Sequence, residues 1–174
     1  MASSVRIEVE RAAKIISDAG GLVVGRTKLQ KIAYLLEAMG LGEGFDFEYK
    51  HYGPYSETLS TALRYGDMLG TIHEEVKTAS WGGYYSIFTC NCQSSTPPES
   101  ARRKVVELGN SADPVELELA ATAVLLSSEG YQDPWKETEQ RKPDKAADGR
   151  VGKAKALLAR FKELDEQKSI PENI

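Results

Sequence analysis

Lys50-His51-Tyr52-Gly53-Pro54-Tyr55-Ser56 is the stretch on which the reading of this chain turns. It follows the alternating run Phe45-Asp46-Phe47-Glu48-Tyr49 and precedes a helical pattern from Glu57 to Leu69. Alternation of apolar and polar residues predicts a short half-buried strand. Gly53 then supplies backbone freedom, and Pro54 suits a first helical position. The stretch therefore reads as a strand-to-helix corner that carries aromatic, basic and turn residues together.

Upstream, Val5, Val9, Ala12, Ala13 and Ile16 recur at helical spacing and predict a helix from Ser4 to Asp18, stopped by Gly20-Gly21. Thr27-Lys28-Leu29-Gln30 fits a capping box at the start of a second helix. Its apolar face is Leu29, Ile32, Ala33, Leu36 and Met39, with Lys28, Lys31 and Glu37 pointing away. In the third helix Leu59, Ala62, Leu63 and Leu69 form the buried stripe. Downstream, Ile72 to Lys77 alternates, Trp81-Gly82-Gly83 turns the chain, and Tyr84 to Cys92 returns as a β-branched and aromatic strand. Three helices followed by a β-hairpin is the order of a winged helix-turn-helix.

Gln93-Ser94-Ser95 marks the expected boundary between a winged-helix-like half, residues 1–93, and a helical half, residues 94–174, packed on it as one compact domain. In the second half, helices are expected to open at Thr96-Pro97-Pro98-Glu99, at Asp113-Pro114 and at Asp133-Pro134-Trp135. Leu117, Ala120, Ala121, Val124 and Leu125 form a helical stripe. Arg141-Lys142-Pro143 breaks the chain before a last amphipathic helix through Val151, Leu158 and Leu164. The fold class is thus mainly α with a small β element.

The chain's 174 residues suffice for one domain with a real core. No run approaches the roughly 18 apolar residues of a membrane span, and the N-terminus lacks a signal peptide's apolar region, so a cytoplasmic protein is expected. Net charge is −4, with nine basic against eleven acidic residues up to Gln93 and thirteen against fifteen beyond it. Such a balance gives nucleic-acid binding no global support. Cys90 and Cys92 are the only cysteines and are expected as reduced, partly buried thiols. A metal centre would need two more ligands from His51 and His73, so no metal and no cofactor are expected.

Chemistry-bearing patterns are few. The glycines fit helix ends rather than a phosphate loop, and no serine stands in a nucleophile elbow. His51, beside Lys50, is a conceivable general base, but a corner histidine bonded to backbone explains it as well, and it lacks a partner acid in the sequence. No catalytic residue is assigned. Tyr52 and Tyr55, with Lys50, His51 and Pro54, are the candidate partner-binding residues, since tyrosine is enriched at interfaces. For DNA the candidates are Lys28, Lys31 and Arg64, yet the third helix offers only one basic residue for a groove. The basic stretch from Lys136 to Lys155 reads as a mixed-charge surface, with an anionic-partner site around Arg141-Lys142-Pro143 as the alternative.

Two patches carry a family resemblance. Lys28-Leu29-Gln30-Lys31-Ile32-Ala33-Tyr34 resembles the Lys-Leu-Gln-Lys-apolar-x-Tyr helix of the Panacea, or SocA-like antitoxin, domain. Tyr49 to Ser56 resembles that domain's aromatic-x-x-Tyr-Gly-Pro corner, and Leu69-Gly70-Thr71-Ile72 also fits. Trp135 and Arg141-Lys142-Pro143 look like the YwgA-type relatives of that family. The resemblance implies a mostly helical protein with a small β element. It further implies a non-enzymatic protein-binding module that neutralises a toxin by direct contact or adapts a partner protein, within a toxin-antitoxin system. The family corner commonly continues Gly-Pro-Val with a further Pro, whereas this chain has Gly53-Pro54-Tyr55-Ser56. The alternative from helix order alone is a winged-helix DNA-binding transcriptional regulator.

Overall fold

The computed structural model describes residues 2–174, with side chains from Ser4 onward. Eight helices and five short strands follow one another: α1 (Ala2–Asp18), β1 (Leu22–Val24), α2 (Arg26–Ala38), β2 (Glu48–Lys50), β3 (Gly53–Tyr55), α3 (Glu57–Met68), β4 (His73–Thr78), β5 (Tyr84–Thr89), α4 (Ala101–Ser111), α5 (Pro114–Ser128), α6 (Pro134–Arg141), α7 (Pro143–Ala146) and α8 (Arg150–Leu164). The fold is mainly α with two small antiparallel sheets.

Strand β1 is an addition to the sequence reading. Three residues are too few to show a period. It pairs with β5, and β5 pairs with β4, in the order β1-β5-β4. Helix, strand, two helices and a hairpin, with the first strand joined to the last, is the arrangement of a winged helix. Two features depart from it. A second hairpin, β2-β3, is inserted between α2 and α3. And α3 packs chiefly on α1, whereas α2 is covered by α4 and α5 from later in the chain.

Helices α2 and α5 form the centre. Eight consecutive residues of α2, Leu29 to Leu36, and ten of α5, Leu117 to Leu126, are buried. A helix buried on all sides has no polar face. The stripe expected on each is therefore corrected: α2 lies among α4, α5, β1 and β3, and α5 among α2, α6, α8 and β3, so both are enclosed. Gly109 permits the close approach of α4 to α2, since a Cβ there would lie 2.7 Å from Ile32 Cγ1. One continuous apolar cluster runs from Ala12 through Leu35 and Val106 to Phe161.

Helix starts are partly as expected. Asp113 and Asp133 cap α5 and α6 through their carboxylates, each ahead of a proline. The capping box at Thr27-Gln30 is not formed. Gly25, at φ 102°, precedes α2 without a side-chain cap, and Gln30 turns inward instead. The helix expected from Thr96 starts later, at Ala101, where Ser100 caps the Arg103 amide. No helix among the described residues is long and apolar enough to cross a membrane.

Candidate functional site: the Tyr52 hairpin and the buried polar cluster beneath it

The corner is a hairpin. Glu48 to Lys50 pairs with Gly53 to Tyr55, which leaves His51 and Tyr52 as its two-residue turn. Neither turn residue has positive φ, whereas Gly53 has φ 82°. Gly53 thus supplies the left-handed residue that lets the chain re-enter the pairing. Pro54 is a strand residue rather than the first of a helix, and Ser56 caps α3 by accepting from the Leu59 amide. A Cβ on Gly53 would stand 2.4 Å from Thr122 Oγ1 of α5, so the hairpin lies directly against a central helix.

Polar residues on the two enclosed helices find their partners at this hairpin and beside it. Gln30, 3% exposed, donates to the Ser56 carbonyl at 3.0 Å and accepts from the Ser56 amide at 2.8 Å. Lys31, 1% exposed, donates to the Pro54 carbonyl at 2.7 Å. Thr122 donates to the Glu118 carbonyl. The Glu118 carboxylate meets Lys142 at 2.7 Å and Lys145 at 2.6 Å, and Lys142 also donates to the His51 carbonyl. A buried ion pair tolerates its lost hydration only with such additional bonds. Hairpin, α2, α5 and the α6–α7 junction are therefore joined by one polar network inside the protein.

Charge is uneven within it. One carboxylate, Glu118, faces Lys31, Lys142 and Lys145. Burial pushes the Lys31 ammonium down to about 7; Glu118 opposes that shift, and Lys142 and Lys145 add to it. Arg141 lies outside this centre. It pairs with Glu137 at 2.7 Å, and its guanidinium stands 4.6 Å from the Tyr49 ring and 5.1 Å from the Tyr131 ring. The hydrogen bond that Arg141 donates to Glu137 holds its guanidinium above its ordinary range. Arg141-Lys142-Pro143 is thus more than a helix-ending loop, since it clasps the hairpin through Tyr49 and the His51 carbonyl.

The five hairpin candidates take different positions. Pro54 is buried, Lys50 and Tyr55 are half-buried, and His51 and Tyr52 are exposed. Lys50 pairs with Glu48 and Glu57 and lies 4.7 Å over the Tyr55 ring; its hydrogen bond to Glu57 raises its pKa. No ion pair reaches His51 among the described residues, and its ring stands 6.3 Å from that of Tyr52. Tyr52 lies under the Lys145 ammonium at 4.7 Å. It borders two depressions. One, of about 500 Å³, runs between α2, the hairpin and α3 past Gln30, Lys31, Tyr55, Ser60 and Arg64. The other, of about 270 Å³, lies between His51 and the Arg141 to Lys145 segment.

The three basic residues considered for DNA do not form one surface. Lys28 donates to the Asn110 carbonyl at 2.9 Å, and burial lowers its pKa. Lys31 is inside, and only Arg64 is exposed, on α3. Sequence reasoning noted Lys142 and Lys145 only within the basic stretch and missed Glu118, the carboxylate that brings them together. The available signal was a single charged residue, Glu118, in the run Leu117 to Val124, which is apolar apart from it and Thr122 and where an unpartnered charge would be costly.

Cys90 is buried and Cys92 exposed; burial pushes the Cys90 thiol up to about 11, away from thiolate chemistry. Among the described residues no three His, Cys, Asp or Glu side chains are grouped as metal ligands.

No protein-family model matches the chain. Over 72 residues it is 39% identical to a curated protein, the uncharacterized protein YwgA of Bacillus subtilis (strain 168). That match spans 41% of this chain and 42% of the relative, less than half of either. Over that stretch the chain is YwgA-like.

Proposed function

We propose that this protein is a non-enzymatic protein-binding module whose hairpin and adjoining groove contact a partner protein. The observation that carries this reading is Tyr52. The residue is 58% exposed at the head of a hairpin clamped from below, and it borders two depressions. Aromatic side chains presented on a rigid support make strong interface anchors, because little side-chain freedom is lost on binding. The reading extends to an antitoxin-like role, the partner being a toxin neutralised by contact or a protein delivered to other machinery. Its support is the likeness of Lys28 to Tyr34 and Tyr49 to Ser56 to the SocA-like antitoxin pattern.

The test uses a Tyr52→Ala, Tyr55→Ala double variant of the full chain. Wild type is expected to capture a specific partner that arrests growth when expressed alone, and to relieve the arrest on co-expression. The double variant, with unchanged circular dichroism and melting temperature, is expected to do neither. A folded double variant that retains the partner and the relief removes the hairpin from the contact surface.

A further inference from the structure

The groove between α2, the hairpin and α3 carries hydrogen-bond donors that the protein itself leaves unused. Its two acids are already neutralised: Glu74 pairs with Arg26 at 2.6 Å, and Glu57 pairs with Lys50. Arg64 is exposed and makes no ion pair among the described residues; its guanidinium lies 5.8 Å from the Tyr65 ring. Lys31, nine-tenths buried and more, spends one hydrogen bond on Pro54. An ammonium has three donors. The hydroxyls of Thr27, Ser60 and Thr61, which line the same groove, have no hydrogen-bond partner among the described residues. One unpaired cation, Arg64, and three hydroxyls thus border, with the Lys31 side chain already bound to Pro54, one depression of about 500 Å³, a size within the range of ligand pockets.

We infer that this groove receives an acidic side chain of the partner protein, an Asp or Glu carboxylate, held by Arg64 and by the Lys31 end of the groove. The inference rests on the protein-binding reading above and names the chemistry of that contact. A carboxylate fits better than a phosphoryl group. Glu57 and Glu74 are taken up by Lys50 and Arg26, so the groove keeps one unpaired guanidinium, Arg64, which matches the single charge of a carboxylate. The hydroxyls supply further bonds to carboxylate oxygens without adding charge, and the Tyr52 and Tyr55 rings wall the mouth.

The probe is a blocked six-residue glutamate peptide, titrated into the ¹⁵N-labelled full chain and followed by amide chemical shifts. The corresponding glutamine peptide and inorganic phosphate serve as separate arms. Saturable shifts are expected at Thr27, Ser60, Thr61 and Arg64 with the glutamate peptide only. Arg64→Gln, an exposed change that leaves the core intact, is expected to weaken binding about tenfold, the scale of one charge-assisted contact. Three results overturn the inference: no shift at these amides, equal response to the glutamine peptide, or response to phosphate without response to glutamate. Unchanged affinity in Arg64→Gln does so as well. Should Tyr52→Ala, Tyr55→Ala lose the cellular partner while Arg64→Gln keeps it, the protein-binding reading stands and the acidic groove falls.

Discussion

Lys31 is a charged residue in a place that disfavours charge. Its ammonium titrates near 7 in the folded protein against an ordinary 10.5, with burial as the main cause and Glu118, Lys142 and Lys145 as the charges that face it. Between those two values the unfolded chain binds a proton that the folded chain does not. Stability therefore rises as pH increases from about 7 toward 10.5, and is unaffected by this group below 7. Lys31→Met removes the titration. Between pH 7 and pH 9, wild type should gain about 2 kcal/mol relative to the variant in urea unfolding, from the size of the shift alone. Parallel pH profiles for the two proteins would show that Lys31 is ionised in the fold and better solvated than its burial implies. Gly53 illustrates the opposite constraint at this scale: the site demands the absence of a side chain, for its φ of 82° and because a Cβ there would stand 2.4 Å from Thr122 Oγ1.

At the scale of elements, the hairpin is an insertion tied to its neighbours by side chains rather than by sheet. β2 and β3 pair only with each other, three residues each. An isolated two-stranded hairpin of this length is marginal in water. Gln30 therefore has a structural task, since it alone bonds both the amide and the carbonyl of Ser56, the cap of α3. Gln30→Ala leaves the buried Ser56 amide without a partner, while the Ser56 carbonyl keeps the Ser60 amide, and should cost about 2 kcal/mol. Protection of the Ser56 amide in hydrogen exchange should fall with it, which distinguishes a lost tie from a general loss of packing. Full protection at Ser56 in a destabilised variant would mean that the tie runs elsewhere. Hairpin rigidity matters to function because Tyr52 can act as an anchor only if its backbone is held in place.

For the whole molecule, the decisive contact is between halves distant in sequence. Gln93 to Ser95 is a connection without helix or strand, and α2, from before it, is covered by α4 and α5, from after it. A fragment of residues 1–93 would expose Leu29, Ile32 and Leu36 on α2 and lack the α6–α7 clasp on the hairpin. It should melt without cooperativity and bind the dye ANS, as expected of a chain with secondary structure but no fixed packing. The full chain should unfold in one transition. Cooperative melting of the fragment would place the folding core within the first half. The winged-helix order is shared by proteins of many roles, so the element order by itself assigns no partner.

Periodicity and turn chemistry, both local, were sufficient for much of this protein. The sequence determined the helices at α1, α2, α3, α5, α6 and α8, the β4-β5 hairpin with its Trp81-Gly82-Gly83 turn, and the mainly α class. It also marked a bend at Tyr52-Gly53-Pro54, because glycine and proline are turn residues. Only the tertiary structure decided which polar residues are inside. Lys31 and Lys142 read as outward-facing and Gln30 as a helix cap, because solvent or a chain end is the default partner of a charge or amide, yet these residues and Glu118 are buried. Enclosing α2 and α5 on every side removed that solvent, and the replacement partners, Ser56, Pro54, His51 and Lys145, come from segments 20 to 90 residues away in the chain. No local pattern encodes such pairings, because each becomes favourable only once the helices around it have packed.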